Sequence, residues 1–232
     1  MKITAPSLVR WAGLSAMAAG TIFVLVQPIH PPDVLSSVST PRWAIVHVFS
    51  TAMCFLALLG ITGLYARQAR EAGWLGLAGY LVFGLFFALQ APYVFAEAFI
   101  LPHLTTAAPG FVQGWLVIAG GPVAGGMDLG ALATVYQVIG LLYIAGGLLF
   151  GIATFRAGIL SRWAAGLLGL GALSSPAFVL VPPAFAPLAA VPVGLGLAWL
   201  GYALFSERRR EQASDPVVAG EASGSAKPQP SS

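Results

Sequence analysis

Six apolar stretches run along this chain, at 8–29, 43–66, 74–101, 129–155, 163–181 and 185–205, and the positive charges collect in alternate gaps between them. A helix needs about 20 apolar residues to cross a hydrocarbon core of about 30 Å, so each stretch is long enough, or nearly so, to span a bilayer. Lys2 and Arg10 precede the first stretch. Arg67 and Arg70 follow the second, Arg156 and Arg162 follow the fourth, and Arg208, Arg209, Arg210 and Lys227 follow the sixth. With six spans these lie on one side, and Arg42 alone falls on the other. Cytoplasmic connections carry the excess of Lys and Arg. The sequence therefore predicts an all-α polytopic membrane protein with six transmembrane helices and both termini in the cytoplasm.

Composition closes off the alternatives. Charged residues are 8% of the chain and hydrophobic ones 58%, against about 25% charged in a soluble domain. So few charges cannot cover a soluble surface. The net charge of +3 comes from membrane-flanking residues rather than from a basic patch interleaved with aromatics, so no nucleic-acid partner is expected. Residues 1–206 read as one six-helix transmembrane domain. Residues 207–232 lack aromatics and are rich in Ala, Ser, Gly, Pro and Glu, which predicts a disordered cytoplasmic tail. The start of the chain has the charge pattern of a secretion signal, but its small residues precede the most apolar segment, so an uncleaved first span is expected.

Tryptophans mark the same boundaries. Trp11, Trp74 and Trp163 stand where spans leave the cytoplasmic side, and Trp43 stands at an outer start; indole rings favour that interface. Pro92 is expected to bend the third span, and Pro182 and Pro183 to turn a tight hairpin between the fifth and sixth. Gly147 and Gly151 have the small-residue spacing of close helix contacts, within the chain or between chains. Cys54, the single cysteine, reads as a small packing residue.

The chemistry-bearing residues concentrate in the outer half. All three histidines (His30, His47 and His103) fall there with three acids, Asp33, Glu97 and Asp128. His47, Ser50, Thr51 and Cys54 are spaced along one helical face, as are Gln90, Tyr93 and Glu97 on the next span; the fourth span adds Tyr136, Gln137 and Tyr143. Ionisable groups within a span are costly and normally face partners inside the bundle. A short connection makes spans two and three antiparallel neighbours, so His47 and Glu97 are expected to meet at similar depth. The candidate polar site comprises His47, Glu97, Ser50, Gln90, Tyr93, Asp128 and His103. His30 and His103 each neighbour a proline and read more simply as loop residues. The apolar segment 111–118, within the long outer connection 102–128, is expected to lie in the interface, or to re-enter, and cap this cluster.

Three functions fit those residues. The first is a non-enzymatic membrane protein whose polar outer-leaflet cavity binds or moves a small solute or protons. The second is an intramembrane metal-dependent hydrolase using His47 and Glu97, with zinc the natural ion for such donors. The third is a structural or accessory subunit in which the pair fixes helix register. No metal-spacing motif links the histidines and no phosphate-binding strand-to-helix context exists, so no metal or cofactor is expected. The expected partners are the lipid bilayer and a small-molecule ligand. Oligomeric state is not encoded in any feature of the sequence.

Three segments carry a family resemblance: Gly60-Ile61-Thr62-Gly63-Leu64-Tyr65-Ala66-Arg67-Gln68, Ala96-Glu97-Ala98-Phe99-Ile100-Leu101-Pro102, and Phe155-Arg156-Ala157-Gly158-Ile159-Leu160-Ser161-Arg162-Trp163-Ala164. Over about residues 5–206 the chain resembles uncharacterised bacterial six-span integral membrane proteins, a domain-of-unknown-function family. Such proteins often read Leu-Pro-Arg-Trp around the position of Arg162, where this chain has Ser161 in place of proline. The resemblance implies a multi-pass protein of the bacterial cytoplasmic (inner) membrane and implies no activity.

Overall fold

A computed structural model describes residues 4–121, 125–180 and 183–213, and these are helical with no strand. The helices are α1 (Ala5–Val26), α2 (Leu35–Val38), α3 (Pro41–Phe99), α4 (Leu101–Leu104), α5 (Pro109–Ile118), α6 (Ala131–Ala157), α7 (Arg162–Ser174) and α8 (Val191–Ala213). Two 3-10 segments, Ser175–Leu180 and Pro183–Ala190, lie between α7 and α8. Local signals set several of these ends. Thr40 accepts a hydrogen bond from Trp43 N at the start of α3, with Pro41 in its first turn, where a missing N–H costs nothing. Ser161 accepts from Ala164 N and caps α7. Gly158 takes a left-handed conformation and stops α6.

α3 is 59 residues long. A straight helix of that length would extend about 90 Å, three times a hydrocarbon core. Gly73 breaks it, with φ 54° and ψ −150°, a backbone region open essentially to glycine alone. The two limbs then run antiparallel. Near the break the Tyr65 and Tyr80 rings stack at 4.9 Å; at the far end the Trp43 indole reaches the backbone carbonyl of Glu97. Pro92 keeps helical angles within the second limb.

Packing closes a ring in the order α1, first limb of α3, second limb of α3, α6, α7, α8 and back to α1. Small residues make the contacts close, as lipid-embedded helices require. The spacing of Gly147 and Gly151 is used within the chain: Gly147 faces Ala172, and Gly151 meets Gly169 of α7 backbone to backbone. Cys54 is fully buried among apolar side chains.

Four helices are long and apolar enough to cross a membrane: α1, α3, α6 and α8 with the residues just before it. The fifth expected span differs most from expectation. Its α-helix stops at Ser174 and continues as a 3-10 segment, because Pro176 and the prolines beyond it remove the N–H groups an α-helix needs. α8 accordingly starts at Val191 rather than at Phe185, and Pro182 lies outside the described residues. α8 also runs to Ala213, past the expected start of the tail. Glu207 is held there by both Arg67 nitrogens of a fork-like pair, with Nε 3.1 Å from Oε2. Residues 214–232 lie outside the described residues.

Trp74 and Trp163 are 86% and 81% exposed, as expected of interface residues. Trp43 is not an interface residue: it is 0% exposed, because both its ring face and its N–H find partners inside the bundle.

Gly73→Ala is expected to cost about 1–3 kcal/mol through backbone strain alone, since a Cβ there meets nothing within 4 Å. Gly151→Ala is expected to cost about 1–3 kcal/mol through overpacking, since its Cβ would lie 2.7 Å from Gly169 Cα. Thermal unfolding in detergent checks both, with Gly110→Ala, which has open space around it, expected to leave the midpoint unchanged.

Candidate functional site

A cavity of about 370 Å³ lies at the end of the bundle away from Gly73, within the size range of small-molecule sites. α1 contributes Phe23 and Val26, and the turn after it contributes Gln27, His30 and Asp33. The first limb of α3 contributes His47, Ser50 and Met53, and the second contributes Phe86, Gln90, Val94 and Glu97. Tyr136 and Tyr143 come from α6, and Ser175 and Ala189 from the 3-10 segments.

The hairpin brings His47 Nε2 to 3.4 Å from Glu97 Oε2, with both residues buried. Every other polar atom of this pair is engaged. His47 Nδ1 lies 2.8 Å from the carbonyl oxygen of Trp43. A carbonyl can only accept, so Nδ1 carries a hydrogen. Trp115 Nε1 donates to Glu97 Oε1 at 3.1 Å. Trp43 stacks on the His47 ring at 4.1 Å, and its Nε1 donates to Glu97 O at 2.8 Å, filling one of the carbonyls left open in the last turn of the helix.

With Nδ1–H fixed, neutral His47 presents a lone pair from Nε2 to a carboxylate oxygen that also has only lone pairs. One proton on either atom removes that repulsion. The pair then holds one exchangeable proton and no net charge, as imidazole with carboxylic acid or as imidazolium with carboxylate.

His30 completes the cluster. Its ring lies edge-on to His47 at 5.4 Å, and its Nδ1 is 2.8 Å from Pro31 O. Arg42, the one cation expected on this side, holds the turn in place: Nε donates to Ile29 O at 2.6 Å and Nη2 to His30 O at 3.4 Å. Beside them burial raises the Asp33 carboxyl above its ordinary range, while His30 pulls it the other way.

Of the seven residues expected to form the site, His47, Ser50, Gln90 and Glu97 line the cavity. Tyr93 stands behind the wall. Its hydroxyl donates to Leu132 O at 2.7 Å and its ring packs on Tyr136 and Trp115. Asp128 and His103 are not part of it. Asp128 is exposed and accepts from Gly130 N at the entrance to α6; His103 is exposed on α4. Gln137 is likewise exposed. The segment expected to cap the cluster is α5, and it does so through Trp115. Sequence reasoning missed His30 and Asp33, because the turn 27–34 folds back over the cavity and no periodicity reports that. It also missed Trp115, whose only signal was an indole in an otherwise apolar loop.

Among the described residues, no three His, Cys, Asp or Glu side chains are grouped as a metal ion would require. His47 and Glu97 offer two donors already turned toward each other, which does not fit the open three-ligand centre of a catalytic zinc site. No family model, curated protein or solved structure matches the chain. The described residues are thus all-helical, four of the helices are long and apolar enough to cross a membrane, and a chamber with a cluster of polar groups in its lining lies near one end.

Removing one member of a buried pair leaves the other unsatisfied, at about 3–5 kcal/mol, whereas removing both is far milder. His47→Leu and Glu97→Leu are each expected to destabilise strongly and the double variant much less than their sum, read from a double-mutant cycle of unfolding free energies. Trp43→Phe keeps a stacking ring but strands the Glu97 carbonyl. It is expected to cost about 1–3 kcal/mol by the same measurement.

Proposed function

We propose that this is a non-enzymatic, six-span protein of the bacterial cytoplasmic membrane, with both termini in the cytoplasm, whose chamber opens in the outer leaflet and binds a small polar solute. The single observation behind it is the cavity that gathers His30, Asp33, His47, Ser50, Gln90 and Glu97 from separate elements. A bundle stabilised only by a register-fixing pair would close around His47 and Glu97 and leave no space beside them. Here space of ligand size remains, and groups from the turn after α1 and from α6 face into it.

Support for the orientation comes from charge. Arg10, Arg67, Arg70, Arg156 and Arg162 stand near one end of the ring, at the start of α1, beside Gly73, and at the α6–α7 turn. At the other end Arg42 is spent on backbone carbonyls. The excess of basic residues belongs on the cytoplasmic side. The two limbs of α3 then account for two crossings, and α7 with its 3-10 extension for the short fifth one. The resemblance to uncharacterised bacterial six-span proteins agrees with this placement and adds no activity. The metal-dependent hydrolase has no observation in its favour.

Cysteine labelling tests both parts. In a Cys54→Ala background, Ser50→Cys in intact cells is expected to react with a small membrane-impermeant thiol reagent, and Glu71→Cys is expected to react only after the membrane is permeabilised. The inverse pattern sinks the orientation. An unreactive Ser50→Cys in a folded protein sinks the open chamber.

A further inference from the structure

We propose that the chamber takes a small organic cation, a protonated amine or a quaternary ammonium, in exchange for the proton held between His47 and Glu97. This rests on the chamber being a binding site and names what it binds. The charged groups of the lining are acidic. Two carboxyl groups, Asp33 from the turn after α1 and Glu97 from α3, face the cavity, and among the described residues no Lys or Arg does. The nearest guanidinium, Arg42, is directed at the carbonyls of Ile29 and His30. Both imidazoles already direct their Nδ1 hydrogens at backbone carbonyls. An anion would therefore meet carboxylates and few free donors.

The walls are rich in aromatic rings. Phe23, Phe86, Tyr136 and Tyr143 line the same space, with Tyr143 against Phe86 at 5.1 Å and against Phe23 at 6.4 Å. Aromatic faces attract cations, and most strongly those whose charge is spread and weakly hydrated. A bare metal ion would demand a close oxygen cage, which these rings do not give. Tyr143 Oη is buried beside Ser175, and both residues line the chamber. About 370 Å³ holds a cation of a few carbon atoms.

The exchange follows from the charge balance. Before binding, the His47–Glu97 pair is neutral because it holds one proton. A cation entering beside Glu97 takes over the role of that proton. The proton leaves from Oε2 or Nε2 to water, His47 remains neutral with its Nδ1–H on Trp43 O, and Glu97 becomes the carboxylate counter-charge. One positive charge enters and one leaves. The titratable groups facing the pair are His30 and Asp33 from the turn, Tyr93 behind the second limb, and Tyr136 and Tyr143 from α6. Arg42 lies on the outer side of the turn. The described residues of the 3-10 segments contribute no titratable side chain to the lining.

The test is calorimetric titration of the full chain in detergent with choline and n-butylamine, beside 3,3-dimethyl-1-butanol, a neutral isostere of choline, and pivalate, an anion of similar shape. Buffers of different ionisation enthalpy report the protons released. At least one cation is expected to bind about tenfold or more tighter than the isostere. Pivalate is expected not to bind. Close to one proton should leave per cation, so affinity rises with pH over the neutral range. Glu97→Gln preserves the contacts, since a carboxamide can still accept from Trp115 Nε1 and donate to His47 Nε2; it is expected to abolish proton release and weaken cation binding about tenfold. Asp33→Asn, in the turn outside the helices, is expected to weaken binding without abolishing proton release. A neutral isostere that binds as tightly as choline overturns the cation assignment and leaves the chamber reading standing. Cation binding with no proton released overturns the exchange. If no probe binds while Ser50→Cys still labels from outside, the cation proposal fails alone; if Ser50→Cys is also unreactive, the chamber reading fails with it.

Discussion

The indole of Trp43 ties together the two limbs of α3 at the end where the polar groups gather. Its N–H closes the Glu97 carbonyl, its ring supports His47, and its own carbonyl takes the His47 Nδ1 hydrogen. Three contacts from one residue fix the depth and rotation of both members of the pair. A second indole, Trp115, arrives from α5 and takes the remaining oxygen of Glu97. In surroundings where water is scarce an unmatched polar atom is expensive, so each of these bonds constrains the next. The contact left between the two side chains is His47 Nε2 with Glu97 Oε2 at 3.4 Å, where two lone pairs can share one proton.

The opposite end of the bundle is built differently. There Arg67 pairs with Glu207, and Gln68 Nε2 donates to Thr154 Oγ1 at 2.8 Å with both side chains buried, while Gln68 Oε1 has no partner among the described residues. Arg10 lies over the Phe205 ring and Arg162 over the Phe155 ring. Between the two ends Phe83, Phe87 and Phe150 fill the interior. The chamber at one end is thus separated from the basic residues at the other by an aromatic layer.

The helical character of the fold was legible because membrane segments announce themselves by length and apolarity. The meeting of His47 and Glu97 was legible too, since a short connection forces antiparallel neighbours and the 3.6-residue period places each residue on a face. Three things were not. Trp43 looks like an interface anchor because tryptophans at span starts usually are, and only the position of the Glu97 carbonyl shows otherwise. His30 and Asp33 enter the site through a turn, whose path depends on where Arg42 reaches rather than on any repeat. The fifth span was read from apolarity, which says nothing of whether its prolines leave an α-helix or a 3-10 segment.

Gly73 has a consequence for how such a chain can change. The residues of the pair sit on two helical limbs of nearly equal length measured from that one turn. Adding or deleting a single residue on either limb rotates everything beyond it by about 100°, which would swing His47 or Glu97 out of the chamber while leaving apolarity, charge alternation and helix content untouched. The spacing from the turn to each partner is therefore a stricter signature than any of the apolar motifs.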